Sequence, residues 1–339
     1  RMPYDGSYHA PIGIGAMRRL LQELEPDVLQ VSSPFIPAWV AASSSSCKLK
    51  TYVHHSDPIG SYVQPLAERW LPPSLRDLMT GPAWAYLRAV CRRFDATVVA
   101  GQWLEHELKQ RGCQRVHTVP FGISHADFSA EKRDLALRAR YLGRLADTPG
   151  AQLILIAGRL AVDKRQARLL RALLELSQHR PLGLVLLGDG PERAALARQG
   201  SALPAFTWLP FCKDRGEYAT LLASADALLH GSVSETFGFV LAETLASGTP
   251  LVAPRAQGAL ALAEPEYAET YAAEAGTEAI AAALARLLER PREQLSKAAR
   301  HKAETLPTLD DHFGSLFDLY STLLAQQRHM PLWPSHHSL

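Results

Sequence analysis

Residues 234 to 253 read Ser-Glu-Thr-Phe-Gly-Phe-Val-Leu-Ala-Glu-Thr-Leu-Ala-Ser-Gly-Thr-Pro-Leu-Val-Ala, a loop, a helix, a turn and a buried strand in succession. Gly248 suits the left-handed position that ends a helix, and Pro250 forbids its continuation. Leu251 to Ala253 then form the short apolar run of a parallel strand. The pattern predicts a helix from about Phe237 to Ser247. Its first-turn N–H groups, those of Phe237, Gly238 and Phe239, face out along the helix dipole, and Gly238 lets a ligand approach the backbone. This is a seat for a diphosphate. Glu235 and Glu243 bracket it, at most about 12 Å apart along a helix axis. Glu243 sits among Val240, Leu241, Ala242, Leu245 and Ala246, where a carboxylate is costly unless it is hydrogen-bonded. The hydroxyls of a ribose or sugar would supply such bonds. For Glu-x7-Glu alone, the plainer reading is a carboxylate facing solvent from an amphipathic helix.

Working outward, strands and helices alternate throughout. Strands are expected near 28 to 31, 51 to 54, 96 to 100 and 116 to 119, then at 154 to 160, 184 to 187, 206 to 211, 225 to 229 and 251 to 253. Helices are expected at 12 to 24, 37 to 46 and 102 to 111, and from Lys164 to His179. Residues 268 to 290 read as alanine-rich helix and 308 to 326 as an amphipathic helix. The alternation implies an α/β fold with two doubly wound parallel sheets. Pro120-Phe121-Gly122-Ile123 and the polar segment behind it suggest an interdomain hinge.

Several polar groups fall at strand ends, where open α/β sheets bind ligands. His54-His55-Ser56-Asp57-Pro58 follows the second strand; its plainer reading is a turn started by Asp57 and Pro58. Arg159 and Lys164 stand between a strand end and a helix start, where two fixed cations would neutralise a departing diphosphate. The plainer reading there is surface charge, as expected for Arg165, Arg168 and Arg171. Gly188-Asp189-Gly190-Pro191 is a tight turn with Pro at a first helical position.

These segments together resemble the retaining, nucleotide-sugar-dependent glycosyltransferases of family 4, which adopt the two-domain, Rossmann-like GT-B fold. The resemblance rests on Ser-Glu-Thr-Phe-Gly-Phe-Val-Leu-Ala-Glu with Ala-Ser-Gly-Thr-Pro-Leu-Val behind it, on Gly158-Arg159-Leu160 with Lys164 four residues on, on Pro-x-Gly-Ile at 120 to 123, and on the His-Ser-Asp loop. It implies that Gly158, Arg159 and Lys164 meet the donor diphosphate together with Thr236, Phe237, Gly238, Phe239 and Val240. It further implies that Glu235 meets the transferred sugar, that Glu243 meets the ribose, and that His55, with His54 as fallback, lies over the sugar. By the same resemblance the acceptor hydroxyl attacks from the side the nucleotide leaves, and the departing phosphate takes its proton. The implied substrates are a sugar nucleotide carrying a hexose, mannose or glucose, and a glycan or lipid-linked acceptor. The hinge departs from the family pattern at Ser124, where an acidic residue is usual.

Composition is that of an ordinary globular protein, long enough for two domains. The chain has 339 residues, 47% hydrophobic and 21% charged, with 36 basic and 34 acidic side chains, so no footprint for nucleic acid stands out. Four scattered cysteines suggest neither a disulfide framework nor a zinc site. With no Asp-x-Asp element, no obligatory metal is expected. No apolar run is long enough to cross a bilayer and no signal peptide opens the chain, so a cytoplasmic protein is expected. Aromatic residues and arginines between 62 and 94 leave peripheral contact with the cytoplasmic membrane face as an alternative to simple packing.

The expected organisation is an amino-terminal, acceptor-side domain over 1–128, joined by the helix 308–326, a donor domain over 129–307, and a tail over 327–339. The first half offers only about four strands, and the family's glycine-rich loop after its first strand is not found. The first domain therefore reads as incomplete, with a truncated, inactive transferase or a non-catalytic sugar-nucleotide binding module as the alternative. Hydride transfer is a poorer choice, since no Gly-x-Gly-x-x-Gly turn is present.

Overall fold

The computed structural model describes residues 13–63, 67 and 70–329. Two compact units emerge. One draws its described residues from 1–55, 77–120 and 310–339, the other from 56–76 and 121–309. The described residues of 56–76, expected in the first domain, fall in the second unit. Asp57 Oδ1 accepts the N–H of Gly60 at 2.8 Å, and the Ser61 and Ser234 hydroxyls lie 3.3 Å apart.

The first unit holds a four-stranded parallel sheet in the order β1 (Val28–Val31), β2 (Leu49–His54), β3 (Ala96–Val99) and β4 (Val116–Thr118). Its core joins Leu49, Val53, Val98 and Val119 to Leu316 and Tyr320 of the helix Leu309–His329. The Tyr320 hydroxyl accepts from Thr51 at 3.3 Å and donates to Gln30. That helix outruns its expected end at 326, because Gln326, Gln327 and Arg328 are good helix formers and no breaker precedes Pro331. The described part of the expected tail is therefore helical, and 330–339 lie outside the described residues. The long helix Pro73–Cys91 uses Trp84, Leu87 and Val90 for packing, with Phe94 just beyond it, and leaves Leu75 and Leu78 exposed. Tyr86 donates to the Pro34 carbonyl at 2.7 Å and accepts from Trp39 at 2.9 Å. Among the described residues no helix is long and apolar enough to cross a membrane.

The second unit holds a six-stranded parallel sheet in the order β10 (Ala268–Tyr271), β9 (Leu251–Pro254), β8 (Ala227–Leu229), β5 (Gln152–Ala157), β6 (Leu182–Leu187) and β7 (Ala205–Leu209). Every strand pairing is parallel, so β5, β6, β8 and β9 are near-continuous apolar runs buried on both faces. β10 corrects the helical reading of 268 to 290. Tyr267 and Tyr271 are both buried, Glu269-Thr270-Tyr271 pairs with β9 as an edge strand, and the helix begins only at Thr277. The order of strands reverses between β5 and β8, the topological switch point whose carboxyl-end crevice receives ligands in such sheets.

Beyond the excursion of 56–76, the chain passes between the units at 120/121 and again at 309/310. Within the second unit these passages run side by side, with Ile123 bridged to Thr308 and its N–H donating to Pro307 at 3.0 Å. Any side chain at Gly122 would collide with the Thr308 backbone, so only glycine permits this approach.

Candidate donor-binding site

The switch point brings together residues that follow β5 and β8. After β5 the chain passes through Gly158 and Arg159 into a 3₁₀ turn, Val162–Lys164. Arg165 then adopts a left-handed conformation (φ 54°), and the helix starts only at Gln166. Lys164 closes that turn rather than opening the helix, as the sequence suggested. The buried Gln166 amide donates to the Arg159 carbonyl at 2.8 Å and ties the loop down. Arg165 and Arg168, expected to be solvated, donate to the carbonyls of Ala273 and Ala275.

Lys164 Nζ donates to Glu235 Oε1 at 2.5 Å and to Ser232 Oγ at 3.2 Å. The Arg159 guanidinium contacts both Asp163 oxygens, at 3.0 and 3.1 Å. The Glu235 backbone is held by Gly258, whose N–H donates to its carbonyl at 3.0 Å. Burial alone would raise the Glu235 pKa. The nearby His230 ring and the Lys164 charge outweigh burial and hold the carboxyl well below its usual range.

The helix behind Glu235 spans Phe239–Ala246, two residues later than the pattern suggested. Gly238, at φ 88°, takes the left-handed N-cap position, and the first helical bond runs from Ala242 N–H to its carbonyl. The outward N–H groups are therefore those of Phe239, Val240 and Leu241, and Phe237 and Gly238 lie before the helix. Phe237 is buried instead, edge-on to Phe121 at 5.7 Å and to Phe239 at 5.0 Å, while Phe121 and Phe239 stack at 5.3 Å. Thr236 occupies the short loop between Glu235 and this aromatic cluster.

Glu243 is half-buried and accepts a hydrogen bond from the Tyr218 hydroxyl at 2.9 Å. Burial pushes its pKa up, with the Tyr218 bond and the Arg215 charge pulling the other way. Together with Gly158, Arg159, Arg215, Tyr218 and Val240 it lines a cavity of about 530 Å³. Arg215 is anchored on Asp127 at 2.6 Å, and Phe128 meets Tyr218 edge-on. Tyr218, Arg215 and His230 were not singled out from sequence. No local spacing marks them, because the first two enter on the helix Arg215–Ser224, brought in by the crossover from β7 to β8.

His55 belongs to the other unit, where it follows β2 and is exposed. His54, its fallback, is fully buried with Nδ1 2.9 Å from the Tyr52 hydroxyl, and burial beside His55 pushes its pKa down to about 4. His54 is thus a core residue. Asp57 accepts from Gly60 and starts the next turn.

A cation pair, a helix amino terminus and two carboxylates at the switch point of a doubly wound sheet form a site for a phosphorylated, hydroxyl-rich ligand. Comparison with known proteins agrees. The family description "Glycosyl transferases group 1" matches residues 144–302, and "Glycosyltransferase Family 4" matches residues 1–127. Over 305 residues the chain is 31% identical to a GDP-mannose-dependent alpha-(1-6)-phosphatidylinositol dimannoside mannosyltransferase of Mycobacterium tuberculosis, covering 89% of this chain and 76% of that protein. A GDP-mannose-dependent alpha-mannosyltransferase of Corynebacterium glutamicum is 27% identical, covering 77% of this chain and 59% of the relative. Among solved structures, sucrose-phosphate synthase from Thermosynechococcus elongatus superposes with a TM-score of 0.75 at 18% identity, covering 96% of this chain and 83% of the other. HepE from Anabaena, solved in complex with UDP-glucose, gives a TM-score of 0.73 at 18% identity, covering 92% and 84%.

Proposed function

We propose that this chain, which belongs to glycosyltransferase family 4, transfers mannose from GDP-mannose to a hydroxyl of a lipid-linked glycan, with retention of configuration. Membership makes it a glycosyltransferase of the GT-B fold that acts on nucleotide sugars. The observation that supports the reading most directly is the meeting of Lys164 with Glu235 at the switch point, with Arg159 on the adjoining loop and the Phe239 helix terminus behind them. Mannose is favoured over glucose by the names of the relatives at 31% and 27% identity.

In the proposed mechanism the diphosphate lies across the N–H groups of Phe239, Val240 and Leu241, with Gly158 leaving the strand end open. Glu235 takes the sugar hydroxyls and Glu243 the ribose. Charge develops on the leaving phosphate as the glycosidic bond breaks, and Arg159 and Lys164 neutralise it. The acceptor hydroxyl adds on the face the phosphate leaves and gives up its proton to that phosphate. His55 is assigned to the sugar from the acceptor side. Since the two side chains supply the neutralising charge, no metal is assigned.

Calorimetric titration of the chain with GDP, UDP and ADP in the presence of EDTA tests the donor reading. Micromolar-range binding of GDP alone, about −8 kcal/mol, is expected, weakened at least tenfold in Glu243→Ala, for which the loss of about 1.4 kcal/mol corresponds to one hydrogen bond to a charged group. Unchanged affinity in that variant would remove Glu243 from the site, and binding that required magnesium would overturn the metal-free assignment.

A lipid-linked acceptor places the reaction at a membrane surface. Leu75 and Leu78, exposed on either side of Arg76, are the residues we assign to that contact. Co-sedimentation with anionic vesicles is expected to fall about threefold or more in Leu78→Glu, the loss expected when one apolar side chain leaves the interface. Equal sedimentation of the two proteins would refute the assignment.

A further inference from the structure

The first residue after β8 is a histidine that the mechanism above leaves unused. Its backbone is clamped from two sides: the His230 N–H donates to Val252 at 2.8 Å, and its carbonyl accepts from the Tyr271 hydroxyl at 2.6 Å. Its side chain is only 8% exposed, and Nε2 has no hydrogen-bond partner. A buried ring nitrogen left in that state is unfavourable and calls for an explanation. The ring is also aimed at something. Nε2 lies 3.4 Å from Glu235 Oε1, the same oxygen that receives Lys164 at 2.5 Å.

Lys164 cannot serve Glu235 and a diphosphate equally well. Its ammonium is a compact charge on a flexible stem, and an arriving diphosphate offers it more negative charge than one carboxylate does. When Nζ turns to the phosphate, Glu235 loses its cation while staying buried, its side chain only 15% exposed. A buried carboxylate stripped of its partner is strongly unfavourable, and it would be free to turn away from the sugar. One ring nitrogen with no hydrogen bond of good geometry stands beside that oxygen, 3.4 Å away. A shift of about half an ångström brings Nε2 from its present separation to ordinary hydrogen-bond distance.

We propose that His230 is a positioning residue that takes over Oε1 of Glu235 when the sugar nucleotide draws Lys164 away. Nε2–H then donates to the carboxylate and keeps it charged and aimed at the sugar. Lys164 moves between two anions, and the histidine fills the place it leaves. The inference rests on the reading of Lys164 and Glu235 as donor-site residues.

The test combines nuclear magnetic resonance of the unmutated protein with two variants. In protein carrying nitrogen-15 in its histidines, saturation with GDP-mannose is expected to move the His230 Nε2 proton downfield as its hydrogen bond forms. In Lys164→Ala the same resonance is expected near that position before any donor is added, because Glu235 has already lost its lysine. GDP-mannose is expected to bind His230→Leu about tenfold or more weakly, whereas His230→Gln, which offers an amide donor at the same reach, stays within about threefold of the unmutated chain. A resonance unmoved by donor, or equal affinities in the leucine and glutamine variants, overturns the exchange while leaving the donor site standing. Failure of the unmutated chain to bind GDP-mannose overturns the donor reading and the exchange with it.

Discussion

Replacing Lys164 with alanine is expected to slow turnover of the donor about 10²–10³-fold, the usual cost of removing one preorganised group that stabilises charge developing in a transition state. In the free chain the ammonium is held by Glu235 and Ser232; the bound diphosphate draws it over before the bond breaks, so it stands ready when the phosphate departs. The loss should fall mainly on kcat, since charge on the leaving phosphate grows as the bond breaks. Lys164→Ala also strips Glu235 of its cation. Arg159→Ala provides the cleaner comparison, because it leaves the Lys164–Glu235 pair intact and removes the cation that Asp163 faces. A fall of the same order is expected there, and the double variant should lose less than the product of the two, as both groups act on one pair of phosphates. The measurement is the rate of GDP release from GDP-mannose with a lipid-linked glycan as acceptor. Near-normal rates in both variants would remove the two cations from the reaction.

The second large effect is on stability. Asp226, just before β8, accepts from Arg133 at 2.8 Å, from Arg138 at 2.9 and 2.7 Å, and from the Leu153 N–H at 2.8 Å. Arg292 lies 3.7 Å away. Arg133 and Arg292 also donate to the carbonyls of Ala223 and Ala225, so this one carboxylate organises the end of a helix and the entry to a central strand. Asp226→Ala leaves partly buried guanidinium groups facing one another and is expected to cost about 3–5 kcal/mol. The thermal transition of this unit is expected to fall by roughly 10 °C. Burial would raise the Asp226 pKa, but the bonds and charges of Arg138, the Leu153 N–H and Arg133 outweigh it and leave it lowered. Its contribution is therefore complete above the ordinary aspartate value of about 3.9 and is lost as pH falls through the lower folded value. Unmutated protein is expected to lose stability on acidification in that range more steeply than the variant. A transition within about 1 kcal/mol of the unmutated protein would mean that the arginines reach other partners.

What sequence could show follows from how local each signal is. Gly248 and Pro250 end the Phe239 helix where their backbone preferences require, and the apolar runs of β5, β6 and β9 are visible because parallel strands bury both faces. The start of that helix was misplaced because Phe237 looks like a first helical residue until Gly238 is seen to turn left-handed. Arg165 misleads in the same way, since nothing but the fold puts an arginine at φ 54°. β10 was lost among alanines because four residues on an edge carry too little pattern to outweigh their surroundings. Tyr218, His230 and Asp226 meet partners 25, 5 and 93 residues away. The distant pairs arise from the order of strands in the sheet, and the near one from the path of the loop after β8, neither of which has a sequence period.

The helix Leu309–His329 also has a temporal meaning. A ribosome delivers the strands of the first unit early, the last of them ending at Thr118, yet their core includes Leu316 and Tyr320. During synthesis that sheet must wait with one apolar face open while the whole 121–309 segment emerges, and that later segment has its own core available as soon as it is made. The strands of the first unit are therefore made early but are among the last to finish folding, and the exposed sheet needs protection until the helix Leu309–His329 arrives.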